Sequence, residues 1–413
     1  MSVQATELKQ IRQTETAPAK RRFFLRMPKR ADGPIFYSII ILSLFGLLMI
    51  ASSSMGLTVG NPGRLALILI KQIVFLAGGY FSMTWLAFNF RLSFLKSGSF
   101  PVWALGIGGA LLFCLVFPAA GGARAWIRVP ISGVDISIQP SEFAKIMVIL
   151  VIAAYCGDVK KIFKTNGEIV RRPLIFVVGY ILIVLILQSD MGSAAVIFFI
   201  SIICMMIPQH PQMRLFQNTI RGLFAVGVVG AFYLLSPYGE AVIRRLPLKQ
   251  YQINRFLSSV NPFIDMYDAG FQLVNGLVSF ATGGWFGLGF GNSVRKYTNF
   301  PAANTDFILA IIVEELGIVG FMIIFIPYMV IIVQLFRYAM QIKSEQARII
   351  LVGTATYLVI HCLFNIGGVT GMIPLTGVPL LMISSGGSST LAFMIAVGIS
   401  QAVIDQYRKG MIK

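Results

Sequence analysis

Long apolar runs, separated by short polar connections, dominate the sequence from about residue 35 onward. A helix needs about 18 consecutive apolar residues to cross a bilayer, or slightly fewer where it is buried in a bundle. Runs close to or above this length recur at about 35–53, 66–88, 101–119, 142–156, 173–188, 191–207, 220–236, 307–336, 349–371 and 386–404. The pattern predicts an all-α polytopic membrane protein with about ten transmembrane helices.

The composition supports this class of protein. Hydrophobic residues make up 56% and charged residues 12% of the 413 residues, whereas soluble domains are about 25% charged. An ordinary soluble protein is therefore excluded. The net charge of +18 is scattered among short connections rather than gathered on one soluble face, so we predict no nucleic-acid partner.

The distribution of Lys and Arg predicts the orientation, because short basic loops stay on the cytoplasmic side. With the N-terminus inside and ten spans, 23 of the 34 basic residues lie on the cytoplasmic side. We therefore predict a basic, disordered cytoplasmic tail over 1–34, a transmembrane domain over 35–404 and a short cytoplasmic tail over 405–413.

One connection is much longer than the others and is predicted to be extracellular, between helices 7 and 8. It spans about 237–306 and carries six basic residues, which would suit an anionic partner, although long loops also translocate regardless of charge. Within it, GEAVIRRLPLKQYQINRFL (239–257) is typical of a basic amphipathic segment on the membrane surface. The glycine-interrupted segment FQLVNGLVSFATGGWFGLGFG (271–291) indicates a re-entrant or surface-buried hairpin.

Charged residues within apolar runs are functional candidates, because they are costly in a membrane. The segment FPAANTDFILAIIVEELGIVG (300–320) holds Asp306, Glu314 and Glu315. In one continuous helix Asp306 and Glu314 would be about 12 Å apart along the axis, too far to share a proton. Asp306 is predicted at the outer mouth, where the helix dipole favours its ionised form, with a simple N-terminal cap as the alternative.

Glu314 and Glu315 are interpreted as interhelical hydrogen-bonding or ion-pairing groups near Gly317, a small residue that permits close helix packing.

A second group of polar residues lies in RAWIRVPISGVDISIQPSEFAKI (124–146). Pro140 and Ser141 indicate a helix start with Ser141 as the cap. Glu142 and Lys145 then share one helix face. In the hairpin QSDMGSA (188–194), Asp190 fits a structural turn and a functional site equally well.

Metal chemistry based on Cys and His is not indicated. The four cysteines lie singly in or at the ends of apolar runs, without the paired spacing of metal sites. His361 has no acidic neighbour in sequence, which favours a packed, hydrogen-bonded histidine over a proton relay. We assign no metal ligands.

Several motifs together resemble the SEDS family of shape, elongation, division and sporulation proteins. They are IQPSEFAK, TDF followed by EELG, GGWFGLGFGNS, and TGVPL followed by ISSGGSS, in the family's order and over nearly the whole chain. The chain departs from the family pattern at Ser189, Met191 and Ser385, among others. The long basic N-terminal tail favours the division form of the family.

The resemblance implies a peptidoglycan glycosyltransferase that polymerises lipid II outside the bacterial cytoplasmic membrane. It places the essential carboxylate on Asp306, which would be the general base. Candidate substrate-binding residues are Arg124, Trp126, Arg128, Gln139, Glu142, Lys145, Asp190, Arg255, Gln272 and Lys296. Candidate supporting residues are Lys71, Glu314, Glu315 and Ser388.

The resemblance also implies partners, and the chemistry suggests a cofactor. The partners are lipid II, undecaprenyl-diphosphate-linked glycan, a class B penicillin-binding protein acting as transpeptidase, and other divisome or elongasome membrane proteins. No cofactor is required by the residues, but a diphosphate leaving group makes a divalent cation, Mg²⁺ or Mn²⁺, a candidate. The buried charges also fit a transporter (flippase) of lipid-linked cell-wall precursors. A third function, a scaffold that recruits the transpeptidase through its spans, can coexist with catalysis.

Overall fold

The structure is a computed structural model that describes residues 26–120, 122–131, 134–245, 250–263, 266–267, 270–298 and 300–413. The predicted disordered tail falls mostly on residues 1–25, which lie outside the described residues. Part of the predicted amphipathic segment, residues 246–249, lies outside them as well.

The described residues form mainly helices. They are α1 (Gly33–Ser54), α2 (Pro62–Asn89), α3 (Phe100–Phe113), α4 (Pro140–Cys156), α5 (Gly167–Leu182), α6 (Met191–Met205), α7 (Arg214–Leu234), α8 (Glu240–Ile243), α9 (Gln250–Val260), α10 (Phe271–Gly283), α11 (Ile308–Gln341), α12 (Glu345–Val369) and α13 (Gly387–Arg408). A π-helical turn, Ile183–Leu187, extends α5. Each of the ten apolar runs of the sequence falls on one of these helices.

Seven of the described helices are long and apolar enough to cross a membrane, and two shorter apolar helices accompany them. The chain is therefore a multi-pass membrane protein. How many helices cross the bilayer stays a prediction, because α4 has only 17 residues and contains two charged side chains.

The all-α prediction missed one β-hairpin. Strands β1 (Ile127–Ile131) and β2 (Val134–Ile138) pair antiparallel, with Ile127 opposite Ile138. The sequence signal was present, because IRVPI and VDISI alternate between apolar and other residues on either side of Ser-Gly. The hairpin leads the chain directly into α4.

Helix α13 lies in the centre of the bundle and packs along α2. Gly398 makes this close approach possible, since a Cβ atom there would lie 2.6 Å from the carbonyl oxygen of Met83. Helix α11 packs against α12, α1 and α10, while α4 packs against α6 and α12. Small residues at such contacts let helix backbones approach closely.

One end of the bundle, here called the basic end, is defined by Arg30, Arg91, Lys96, Arg408 and Lys409. Three helix termini are tied together there through Asp32, the N-cap of α1. The Asp32 backbone N–H donates to Gln401 Oε1 (2.7 Å), the Tyr338 hydroxyl donates to its carboxylate (2.8 Å), and Arg408 pairs with the same carboxylate at 3.3 Å. The start of α1 is thus fixed to the ends of α11 and α13.

Helix α7 stands apart from the bundle, and Gln217 is its one buried residue. A groove of about 380 Å³ separates it from α5 and α6. The groove is lined almost entirely by apolar side chains, including Val177, Phe198, Ile202, Phe216, Leu223 and Val228.

Helix α11 is broken at Gly317, whose φ of 63° and ψ of −156° are not helical. The glycine-rich loop after α10 satisfies the backbone groups that the break releases. Leu288 N–H donates to the Glu314 carbonyl (2.9 Å), and Ile318 N–H donates to the Gly284 carbonyl (3.1 Å). The prediction of one continuous helix through Gly317 was therefore wrong, because this glycine serves a chain break rather than helix packing.

Glu314 and Glu315 lie just before the break and are fully buried. Lys296 Nζ pairs with Glu315 at 2.8 Å, and Ser52 Oγ of α1 donates to the same carboxylate at 2.7 Å. Ser293 Oγ donates to Glu314 at 2.6 Å. The interpretation of these glutamates as groups that join segments of the bundle is confirmed.

We predict that Lys296→Met destabilises the protein by about 3–5 kcal/mol, because it leaves the Glu315 charge buried without its partner. Lys296→Met/Glu315→Leu should recover most of this loss, since neither charge then remains. Thermal unfolding in detergent measures both effects. A single variant as stable as the wild type would contradict the assigned ion pair.

Candidate active site

A polar cavity of about 730 Å³ opens at the end of the bundle opposite the basic end. It lies where α4, α6 and α11 begin and where the connection between α12 and α13 crosses them. Nine of the fifteen predicted site residues line it: Lys71, Trp126, Gln139, Glu142, Lys145, Asp190, Arg255, Asp306 and Ser388. The fold therefore brings together residues from six separate parts of the sequence.

Asp306 is partly buried in the turn that precedes α11, on the cavity wall. Gly377 lies directly beside it, since a Cβ atom on this glycine would be 3.6 Å from Asp306 Oδ2. Burial raises the pKa of Asp306 to about 6, the nearby Arg255 guanidinium opposes this by lowering the pKa, and Asp190 raises it further. The result is a carboxyl group that can exchange a proton near neutral pH.

Two expectations from the sequence need correction: that the helix dipole keeps Asp306 ionised, and that Asp306 caps the helix. Desolvation outweighs the helix dipole, so the pKa is raised although the dipole alone would favour the ionised form. Asp306 also does not cap α11: Phe307 occupies the N-cap position, and no side chain makes a capping hydrogen bond. A structural capping role does not account for this carboxylate.

Asn365 is a site residue that sequence reasoning missed. Its Nδ2 donates to the Asp306 carbonyl oxygen (2.8 Å) and to the Val378 carbonyl oxygen (3.0 Å). Ser384 Oγ adds a bond to the Thr305 carbonyl oxygen at 2.7 Å. These bonds fasten the Asp306 turn to the segment 376–386. An amide inside the apolar run 349–371 was the signal that could have identified Asn365.

The predicted Glu142–Lys145 pair is confirmed, with 2.7 Å between Lys145 Nζ and Glu142 Oε1. Tyr357 donates to Glu142 Oε2 (2.8 Å), and Lys145 Nζ lies 3.0 Å from His361 Nε2. His361 Nδ1 lies 3.1 Å from the Pro379 carbonyl oxygen. Because a carbonyl oxygen only accepts, Nδ1 carries the ring proton and Nε2 accepts from Lys145. His361 is packed and hydrogen-bonded, as expected.

Asp190 has a structural role at the start of α6, and its functional role stays a prediction. It caps α6 by accepting from the Ser193 backbone N–H (3.0 Å), and it accepts from Gln139 Nε2 (2.9 Å) while lining the cavity. The predicted cap at Ser141 is wrong, because Gln139 precedes α4 and Ser141 Oγ instead contacts Ser193 Oγ at 3.3 Å.

Ser388, at the start of α13, holds this part of the wall in place. It accepts from the Gln139 backbone N–H at 3.0 Å and donates to the Ser137 carbonyl at 3.2 Å. These bonds join α13 to β2 and to the residue before α4. The predicted supporting position of Ser388 agrees with these contacts.

The other predicted site residues lie off the cavity wall. Arg124 is exposed, the Arg128 guanidinium lies 5.9 Å from the Trp126 ring centroid, and Gln272 donates to the Pro301 carbonyl at 3.3 Å. Lys296 is buried, and its three N–H groups are directed to Ser52, Gly291 and Glu315. The predicted substrate-binding role of Lys296 was wrong, because this ammonium group has no donor left for a ligand.

The match to known proteins covers nearly the whole chain. Residues 34–409 match the family model for FtsW, RodA and SpoVE, described as "Cell cycle protein". A relative from Bacillus subtilis (strain 168), named "Probable peptidoglycan glycosyltransferase FtsW", is 31% identical over 378 residues, which cover 91% of this chain and 90% of the relative. A relative of the same name from Coxiella burnetii is 29% identical over 89% of this chain and 94% of its own.

Two solved structures share the fold. A chain from a structure titled "Structural coordination of polymerization and crosslinking by a peptidoglycan synthase complex" superposes with a TM-score of 0.66 at 24% identity, covering 91% of this chain and 98% of its own. The Rod shape determining protein RodA of Thermus thermophilus superposes with a TM-score of 0.59 at 22% identity, covering 91% of this chain and 97% of its own. The sequence matches and the shared fold together show that the chain belongs to the FtsW, RodA and SpoVE family of cell cycle proteins.

Proposed function

We propose that this protein is a peptidoglycan glycosyltransferase that polymerises lipid II into glycan strands during cell division. The observation that carries the proposal is Asp306, a partly buried carboxylate on the wall of a polar cavity, with a pKa raised by burial to about 6. The relatives described above are named glycosyltransferases, and none of these names describes a transporter.

We further propose ten transmembrane helices, α1–α7 and α11–α13. The basic end would face the cytoplasm with both chain termini, in accordance with the positive-inside rule. The cavity would then open on the outer face of the bacterial cytoplasmic membrane. The segment that holds α8, α9 and α10 would be the extracellular connection between the seventh and eighth spans.

In the proposed reaction, a sugar 4-hydroxyl attacks the anomeric carbon of a second, diphosphate-linked sugar. Asp306 accepts the hydroxyl proton as the new O–C bond forms. The bond from the anomeric carbon to the diphosphate breaks, and the lipid diphosphate leaves with the electron pair. Arg255 and Lys71, which line the cavity, would stabilise this negative charge.

Lys145 has a different part in this proposal. Its ammonium group is occupied by Glu142 and His361, and the Pro379 carbonyl lies at the other end of this chain of hydrogen bonds. Lys145 would therefore position the cavity wall rather than hold the diphosphate. Glu142 and His361 would share this positioning role.

The apolar groove beside α7 suits a lipid-linked substrate. Phe199 and Ala231 line both the groove and the polar cavity, so the two spaces adjoin. A substrate with a polar disaccharide diphosphate and a long isoprenoid tail would place its polar part in the cavity and its tail in the groove. The apolar lining fits a hydrocarbon chain, which needs no hydrogen-bond partners.

A divalent cation would fit the cavity only together with the substrate. The described residues contain no group of three or more His, Cys, Asp or Glu side chains that could hold a metal ion. Mg²⁺ is commonly bound through one or two carboxylates plus substrate phosphates, and Asp190 on the cavity wall could supply one carboxylate. Such a cation would neutralise charge on the diphosphate.

We also propose a transpeptidase partner. The similar solved structure concerns a peptidoglycan synthase complex that coordinates polymerization and crosslinking. A class B penicillin-binding protein would supply crosslinking next to the glycan that this chain makes. Other membrane proteins of the divisome would position the pair.

Asp306→Asn should lower lipid II polymerisation by about 100- to 10,000-fold, the usual contribution of a general base. The assay uses purified lipid II and the cognate penicillin-binding protein with its own activity limited to transpeptidation. Glu240→Gln, an exposed carboxylate in the same long segment, is the matched control and should keep full activity.

Loss of folding should not explain the effect of Asp306→Asn. Because the folded state raises the pKa of this carboxyl group from 3.8 to about 6, its ionisation costs folding free energy that grows between these pH values and is fully present above about pH 6. The variant should therefore unfold at the wild-type temperature or higher at neutral pH. Equal polymerisation by wild type and variant would exclude Asp306 as the base.

The pH dependence of kcat/KM should report the ionisation of Asp306. Since the base must be ionised, the rate should fall about tenfold per pH unit below pH 6. Arg255→Gln removes the cation that lowers this pKa, so the acidic limb should move to higher pH. Lys71→Gln, which also lines the cavity, serves as the comparison, and an identical shift in both variants would contradict a specific role of Arg255.

A further inference from the structure

The glycine-rich loop after α10 carries an exposed aromatic surface that the proposed reaction does not use. Trp285 is 70% exposed, Phe286 is 81% exposed and Phe290 is 49% exposed. No charged residue occurs between positions 271 and 294. An uncharged aromatic loop of this kind is unusual for a segment surrounded by water.

The height of this loop in the membrane follows from two helices. At the basic end, Tyr338 of α11 contacts Asp32 before α1. At the other end, Ser52 of α1 contacts Glu315 of α11. Twenty residues separate Asp32 from Ser52, or about 30 Å of helix, which equals the thickness of the hydrocarbon core. In the proposed orientation, with Asp32 at the inner boundary of that core, Ser52 and Glu315 lie at its outer boundary.

The loop is attached at this same level. Gly289 N–H donates to the Glu315 carbonyl at 2.9 Å, and Val319 N–H donates to the Trp285 carbonyl at 3.3 Å. Gly287 packs so closely on α11 that a Cβ atom would lie 2.2 Å from the Glu315 carbonyl oxygen. The backbone of the loop is thus held at a fixed height.

The exposed apolar side of α11 ends directly at the loop. Val319, Ile323 and Ile326 share one face of the helix and are all exposed. Acyl chains would cover this face in the proposed orientation. Trp285 and Phe286 continue the apolar surface to its outer edge, where tryptophan is enriched in membrane proteins.

We propose that Trp285 and Phe286 form an anchor in the outer leaflet, inserted at the boundary between lipid headgroups and acyl chains. The anchor fixes the height of the α11 break, and through the first turns of α11 the height of Asp306 above the membrane. The inference rests on the membrane orientation proposed above and not on the proposed reaction, so it can be tested without an activity assay.

Tryptophan quenching in lipid nanodiscs tests this anchor. The difference in fluorescence between wild type and Trp285→Phe isolates the signal of Trp285. Phosphatidylcholine brominated near the headgroup should quench this signal about twofold more than lipid brominated near the chain ends, because interfacial groups lie about 5–10 Å into the boundary. Aqueous iodide should quench it weakly.

Two further variants make the test specific. Trp285→Phe/Phe286→Trp moves the probe by one residue and should give the same lipid quenching. Trp126→Phe isolates a tryptophan on the cavity wall, whose signal should not respond to brominated lipid. Stronger quenching of Trp285 by iodide than by lipid would overturn the anchor in favour of a loop in water. Quenching by neither would overturn it in favour of cover by protein, such as a second copy of the chain.

Discussion

Charges buried in an apolar bundle must be paired, because the membrane offers no water to solvate them. This constraint acts at three places in the protein: Arg408 pairs with Asp32 at the basic end, Lys145 with Glu142 on the cavity wall, and Lys296 with Glu315 beside the break in α11. Asp306 differs from these carboxylates. Its pKa is raised because the neighbouring Arg255 only partly offsets the effect of burial, and this residual basicity makes it useful for proton transfer.

The same requirement for partners applies to the backbone groups at the break in α11. A helix interrupted within a membrane protein exposes N–H and C=O groups that need partners, and the loop after α10 supplies them. The loop and the Lys296–Glu315 pair therefore stabilise the region just below Asp306 from two sides. Asn365 and Ser384 hold the turn above it. The proposed base is thus placed by a rigid frame rather than by a free loop.

The shape of the interior suits an amphipathic substrate. A polar cavity with several charged residues adjoins an apolar groove along α7, and the two spaces differ in the chemistry that they can solvate. A lipid-linked sugar diphosphate has the same division between a polar head and a hydrocarbon tail. The proposed polymerisation and the membership of the family are consistent with this division.

The sequence by itself determined the apolar runs and their approximate ends. It also identified the charged residues whose burial in a membrane costs free energy. It also determined the Glu142–Lys145 pair, since residues three apart on one helix are neighbours wherever the helix lies. The family motifs pointed to Asp306. The apolar runs and the Glu142–Lys145 pair depend on composition and local spacing alone, whereas Asp306 was identified through the family resemblance.

Only the tertiary structure decided which distant groups meet. Lysine is a residue type that commonly binds phosphate, but folding places Lys296 against Glu315 and Ser52. Asn365 acquires its role only because the Asp306 turn and Val378 pass beside it. Likewise, Gly317 marks a break rather than a packing contact because a loop from another segment supplies the missing hydrogen bonds. Local sequence cannot specify such contacts, since they depend on the packing of segments far apart in the chain.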